Sequence, residues 1–200
     1  MPTTLTDVRD RIRKDLRDTD SANYRWPDTQ LDRHIDHALN ELSAAMPQEK
    51  TATLATTAGS RDLSLTSLTD LIAAETVEYP VGSFPPEYTP FATWATTLTI
   101  QSETTPSGAS AKLFYTARHA LDGSGTTLTS FQVDVLVTGA AAYAALEQSA
   151  YTADRLATGG APVPGRYEAY ARARLTAFHQ LLFQYGRKNR VRARRAYVPA

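Results

Sequence analysis

Two of the four histidines in this 200-residue chain stand close together, in Asp32-Arg33-His34-Ile35-Asp36-His37. With Glu41 beyond them, His34, His37 and Glu41 fall at i, i+3 and i+7. On a helix that spacing places all three side by side. Two imidazoles and a carboxylate are ligands zinc accepts, but no further ligands stand nearby, and a solvated face of mixed charge uses the same pattern. No metal or cofactor is assigned. His119 and His179 stand alone. The chain contains no G-x-S-x-G, Walker A, G-x-G-x-x-G or H-E-x-x-H motif, so no assembled triad, phosphate cradle or metalloprotease helix is expected. Cysteine is absent, which removes disulfides and thiolate chemistry.

The second feature with chemical content is the end, GRKNRVRARRAYVPA. Arg187, Lys188, Arg190, Arg192, Arg194 and Arg195 bring six cations and no acidic neighbour. The whole chain has 21 basic and 21 acidic side chains, so the remainder is acidic by six charges. Three readings stand side by side. A solvated charge run needs no partner. Six cations could neutralise phosphates in a sequence-blind, salt-dependent way, although Tyr197 is the only aromatic for base stacking. An extended strand would put Arg190, Arg192 and Arg194 on one face and Val191 and Ala193 on the other, suited to a partner's sheet edge.

These residues need elements to hold them. Leu5, Val8, Ile12 and Leu16 form one helical stripe, with Thr4 and Asp7 at capping-box spacing. After the polar loop DTDSANYR, a second helix follows Pro27, carrying Leu31, Ile35, Ala38, Leu39, Leu42 and Met46 on its apolar face and ending at Pro47. Trp26, at its mouth, reads either as an interface anchor or as a staple packed at the helix entry, with Tyr24 beside it.

From 51 to 129 the composition turns to Thr, Ser and short alternating runs such as Thr51–Thr56, Asp62–Leu65, Glu75–Tyr79, Thr97–Ile100 and Ala111–Ala117. Pro and Gly punctuate them, as between antiparallel strands. Leu63, Leu65, Val77, Tyr79, Trp94, Leu98, Ile100, Leu113 and Tyr115 are the expected core of this insertion.

Helical pattern returns at Phe131, where an Ala-rich stretch reads as the most buried element. TGGAPVPG is expected as a loop. A last helix from Arg166 to about Tyr185 carries Tyr167, Ala171, Leu175, Phe178, Leu182 and Tyr185 as its seam, with Gly186 as its stop. The expected fold class is α+β. It comprises a four-helix, two-plus-two bundle (1–50 and 130–186), an antiparallel β-rich insertion (51–129) and an extended basic arm (187–200). The longest uncharged apolar run, 135–146, is too short for the ~20 residues of a membrane helix, and the N-terminus lacks a signal-peptide core. A soluble protein made in a cytoplasm is expected.

The order of these parts resembles the head-to-tail adaptor (connector) proteins of tailed bacteriophages. Their aromatic-x-Trp-x-Asp-x-x-Leu helix entry is matched by Tyr24, Trp26, Asp28 and Leu31. The strand ending Tyr115-x-x-x-His119, followed by the Ala-rich helix, is similar to larger members with a β insertion. Pro27 stands where those proteins more often have a Ser or Thr cap.

The resemblance implies a non-enzymatic virion neck protein made in the host cytoplasm. It would form a homo-oligomeric ring, usually of twelve, between the portal and the stopper or tail-completion protein. Genomic DNA would pass through the ring without specific contact, and no membrane is involved. The arm, with Arg187, Lys188, Arg190, Val191, Arg192, Arg194, Arg195 and Tyr197, would dock on the portal. A nucleic-acid-binding module, or another neck or tail-completion protein, is the alternative reading.

Overall fold

A computed structural model describes residues 3–153 and 163–190. Among the described residues the chain is α+β, with four helices and two antiparallel sheets. It divides into a helical unit, Met1–Met46 with His119–Ala200, and a β unit, Pro47–Arg118.

In the helical unit, α1 (Leu5–Leu16) starts at a reciprocal cap. The Asp7 amide donates to the Thr4 hydroxyl, and the Thr4 amide donates to the Asp7 carboxylate at 2.8 Å. These bonds satisfy helix-end amides that otherwise have no partner, and they hold the Asp7 carboxyl below its ordinary value. Helix α2 (Asp28–Ala45) starts behind Pro27 without a side-chain cap. Helix α3 (Ser130–Ala153) has buried residues all round, including Val133, Leu136, Ala140, Ala141, Ala142, Ala144 and Ala145. All four helices contribute to one core, which α4 (Val163–Arg190) completes with Ala171, Phe178 and Leu182.

Two glycines set how closely these helices approach. A Cβ at Gly139 of α3 would lie 2.8 Å from the Phe178 ring, so the phenyl occupies the space that glycine leaves. At Gly186 a Cβ would lie 2.9 Å from the Ala45 carbonyl oxygen. Gly186 therefore does not stop the helix, as its position after the apolar seam suggested. It is a close-packing residue inside α4, which runs on to Arg190. Helix α4 also begins earlier than expected, since Val163–Gly165 are helical rather than loop.

The β unit has a four-stranded and a three-stranded sheet. In the first, β7 (Ser110–Ala117) runs between β1 (Gln48–Ala55) and β3 (Leu71–Glu78), and β4 (Tyr88–Thr89) pairs beyond β3. The second has the order β2 (Asp62–Ser64), β6 (Thr97–Ile100), β5 (Phe91–Trp94). Alternation fixes which face is inside: Ala111, Leu113, Tyr115 and Ala117 of β7 all point into a second core with Leu63, Leu65, Val77, Tyr79, Leu98 and Ile100. Trp94 does not join them. It is 86% exposed, because it pairs with Thr97, whereas Phe91 and Thr93 pair with the core residues Ile100 and Leu98, so alternation turns Trp94 to the opposite face.

Candidate partner interface

The entry to α2 is held by a buried ion pair that sequence spacing did not single out. Arg13 on α1 is 4% exposed; its guanidinium donates to Asp18 at 2.9 Å and to Asp28 at 2.7 Å. Asp18, also buried, accepts the amides of Arg25 at 2.8 Å and Trp26 at 3.2 Å. The Tyr24 ring lies 3.5 Å from the Arg13 guanidinium carbon, a cation–π contact. Trp26 is 1% exposed, and its indole N–H donates to the Ala144 carbonyl of α3 at 3.2 Å. Of the two residues weighed as anchors, Trp26 is thus turned wholly into its own chain, leaving no surface for a partner. Tyr24 keeps its outer edge exposed. Arg25 reaches the Tyr167 hydroxyl of α4, so the loop between α1 and α2 is tied to both later helices.

His34, His37 and Glu41 lie on α2 but take different partners. His34 bonds Glu147 of α3 at 2.6 Å, and Arg33 bonds the other oxygen of that carboxylate. Burial lowers the His34 pKa against the pull of Glu147. For Glu147, burial pushes upward, but the bonds from Arg33 and His34 prevail and hold it below its ordinary value. The 2.6 Å contact is that of an imidazole N–H donating to a carboxylate oxygen. Glu41 is hydrogen-bonded by His37 at 3.1 Å and by the Tyr143 hydroxyl at 2.8 Å, with His179 at 3.3 Å. Burial, then the bond to Glu41, raises the Tyr143 pKa. Among the described residues, no group of three imidazole or carboxylate side chains is placed to hold a metal ion.

His119 is not an isolated loop residue. It is 4% exposed, and Nε2 lies 2.9 Å from the Met46 carbonyl, an acceptor only, so that nitrogen carries the proton. Nδ1 accepts from the Thr127 hydroxyl at 3.0 Å, and the His119 amide donates to Ser43. One imidazole thus fastens the point where the chain re-enters the helical unit to the end of α2. Burial lowers its pKa and favours the neutral ring that this network needs. The only sequence signal was its place at the end of the last strand, four residues after Tyr115.

The surface that is unusual for its chemistry belongs to the β unit. Between Tyr79 and Gln101 the sequence holds one charged residue, Glu87. The same stretch exposes Val81, Phe84, Tyr88 and Trp94, with Phe84 at 98%. Strand β5 is the edge of its sheet, and edges are ordinarily protected by charge. An uncharged edge with exposed aromatics is a candidate contact surface. Of the basic end, Arg187, Lys188 and Arg190 fall within the last turn of α4 and so continue a helix, not an extended arm. Val191, Arg192, Arg194, Arg195 and Tyr197 lie outside the described residues.

Residues 3–199 match the family described as SU10 adaptor protein. Among solved structures, the chain is similar to one from the virion of a native gene transfer agent (GTA) particle, at 16% identity and a TM-score of 0.30. That likeness covers 86% of this chain and 88% of the other. No curated protein matches.

Proposed function

The chain belongs to the SU10 adaptor protein family, a family of virion structural proteins, and from that premise we propose that it is a ring-forming adaptor between the portal and the stopper or tail. The observation that carries this reading is the extent of the family match, which takes in both the helical unit and the β unit. The helices supply a body whose charges are largely paired internally, as in Arg9–Asp32, Arg13–Asp18 and Arg174–Asp15. The β unit supplies uncharged surface for contact. The cationic residues after Gly186 attach to the portal, and the DNA passes through the ring without sequence-specific contact.

Electron microscopy of the chain with and without purified portal tests the ring, which should be visible on the portal. Deleting 187–200 should weaken portal attachment while leaving the circular-dichroism spectrum of the body in place. A truncated chain that holds the portal as tightly as the intact one refutes the docking role. Should the six cations instead grip nucleic acid, DNA affinity of the free chain would fall steeply with salt.

A further inference from the structure

The 79–90 loop of the β unit is built to present one side chain. The Tyr79 amide donates to the Glu87 carbonyl at 3.0 Å, and the Val81 amide to the Ser110 carbonyl at 3.2 Å. The Gly82 amide donates to the Glu78 carboxylate at 3.2 Å, and the Tyr79 hydroxyl accepts the Ser107 amide at 3.0 Å. With its base pinned by these bonds, the loop carries Phe84 at 98% exposure, followed by Pro85 and Pro86. Proline rings fix φ, so a docked loop loses little backbone freedom. A lone phenyl held in water on a stiff support is available to insert into a cavity of a partner.

The helical unit has such a cavity. It measures about 650 Å³ and is lined by Asp15, Leu16, Arg17, Arg166, Tyr167 and Tyr170, a size and composition suited to an aromatic group with a flanking residue. Leu16 and the two tyrosines give apolar walls. The Asp15 carboxylate is engaged by Arg174 at 2.7 Å, and its carbonyl takes the Tyr170 hydroxyl. Arg17 and Arg166 supply positive charge at a site where the only charged residue of the incoming loop is acidic, Glu87. Tyrosine edges suit a phenyl face, and guanidinium groups suit its negative quadrupole.

A projecting group and a receptive cavity on one chain could form a heterologous contact, the kind that propagates from copy to copy and closes into a ring where its rotation allows. We propose that the Phe84 tip of one copy seats in the Leu16–Tyr167–Tyr170 cavity of the next. The assignment rests on the ring reading above, and it names the contact that would build the ring.

The test uses a fluorescent peptide of residues 79–90 (YPVGSFPPEYTP) titrated into the full chain by anisotropy. Saturable binding is expected. It should fall at least tenfold when the peptide carries Phe84→Ser, and at least tenfold when the chain carries Tyr170→Ser. Should Tyr170→Ser disturb folding, Arg166→Glu at the exposed rim replaces it and should weaken binding in the same sense. Because the chain has no cysteine, a Phe84→Cys/Tyr170→Cys variant carries the only two thiols. Mild oxidation should give a ladder of linked copies, beyond the dimer that either single variant could form. The contact is overturned by no saturable binding up to about a millimolar, by binding indifferent to Tyr170→Ser and Arg166→Glu, or by a disulfide formed only within one copy. A Phe84→Ser chain that still closes into rings under the microscope overturns the contact while leaving the ring reading intact. Peptide binding without rings does the reverse.

Discussion

Three glycines in helices α3 and α4 make a controlled experiment on close packing. Alanine raises helix propensity over glycine by about 1 kcal/mol wherever nothing obstructs its methyl group. At Gly139 the methyl would lie 2.8 Å from two carbons of the Phe178 ring and 2.9 Å from a third. Ordinary contact begins near 3.4 Å, so the ring must retreat by about 0.6 Å. Phe178 is fully buried, with its ring set edge-on to Tyr143 at 6.4 Å between centroids. In a close-packed interior such overpacking costs roughly 1–3 kcal/mol. Gly139→Ala should therefore lose about 1 kcal/mol net, or roughly 2–4 °C in Tm for a chain of this size.

Gly186→Ala should cost more, because the obstacle 2.9 Å away is a backbone carbonyl, which cannot change rotamer. Gly165→Ala faces open space and should gain up to about 1 kcal/mol. The decisive variant is the double one. Phe178→Leu removes the ring, and in that background Gly139→Ala should become stabilising. Urea unfolding followed at the helical circular-dichroism band reads the helical unit, with Trp26 fluorescence in a Trp94→Phe background as a second probe. The reasoning fails if Gly139→Ala alone stabilises the chain, or if its sign is the same with and without the Phe178 ring.

Arg13→Met should lower stability by about 3–5 kcal/mol, since it leaves the buried Asp18 carboxylate without its counter-charge. Arg13→Met/Asp18→Asn should recover part of that loss in the same urea titration. Acidification should destabilise the wild type as pH falls below the ordinary imidazole value of 6.5. The folded pKa of His119 is lowered by burial, so the unfolded chain takes up the proton first and stability rises with pH across that window. His119→Gln keeps a neutral side chain, and should flatten the slope of the urea midpoint between pH 7.5 and 5.5. His34, lowered in the same direction, would sustain the slope that remains.

Much of the fold was legible because it rests on periodicity. The stripe Val8–Ile12–Leu16, the Thr4–Asp7 cap and the alternation of β7 each follow from the 3.6- and 2-residue repeats of their backbones. Leu63, Leu65, Val77, Tyr79, Leu98, Ile100, Leu113 and Tyr115 are buried where alternation put them. Trp94 is not, because the hairpin register pairs it with Thr97 on the outer face, and that register is set only when the strands pair. Gly186 was misread for a related reason. A helix stop and a close helix contact both select for a missing Cβ, and only the position of Ala45 decides between them. His119 and the Arg13–Asp18 pair were missed because their partners come from residues such as Met46, Ser43 and Trp26, brought together only by folding.

The distribution of charge separates two modes of association that salt can tell apart. In the helical unit, Arg9, Arg11, Arg13 and Arg174 are each bound to an aspartate of their own chain. The β unit's exposed stretch from Tyr79 to Gln101 has a single charge. A contact made through Phe84 would thus be chiefly apolar on the loop side, with Glu87 as the only charge that the loop brings to Arg17 and Arg166. The proposed attachment through the six cations after Gly186 would be of the opposite kind. Raising salt to about 1 M shortens the screening length to about 3 Å and weakens attraction between exposed charges. Portal attachment should weaken as salt rises, whereas linkage of copies through the Phe84 tip should persist. Sedimentation of chain alone and chain with portal, across a salt series, measures both. If the two associations decline together, the division of labour between an apolar β-unit contact and a cationic attachment is wrong.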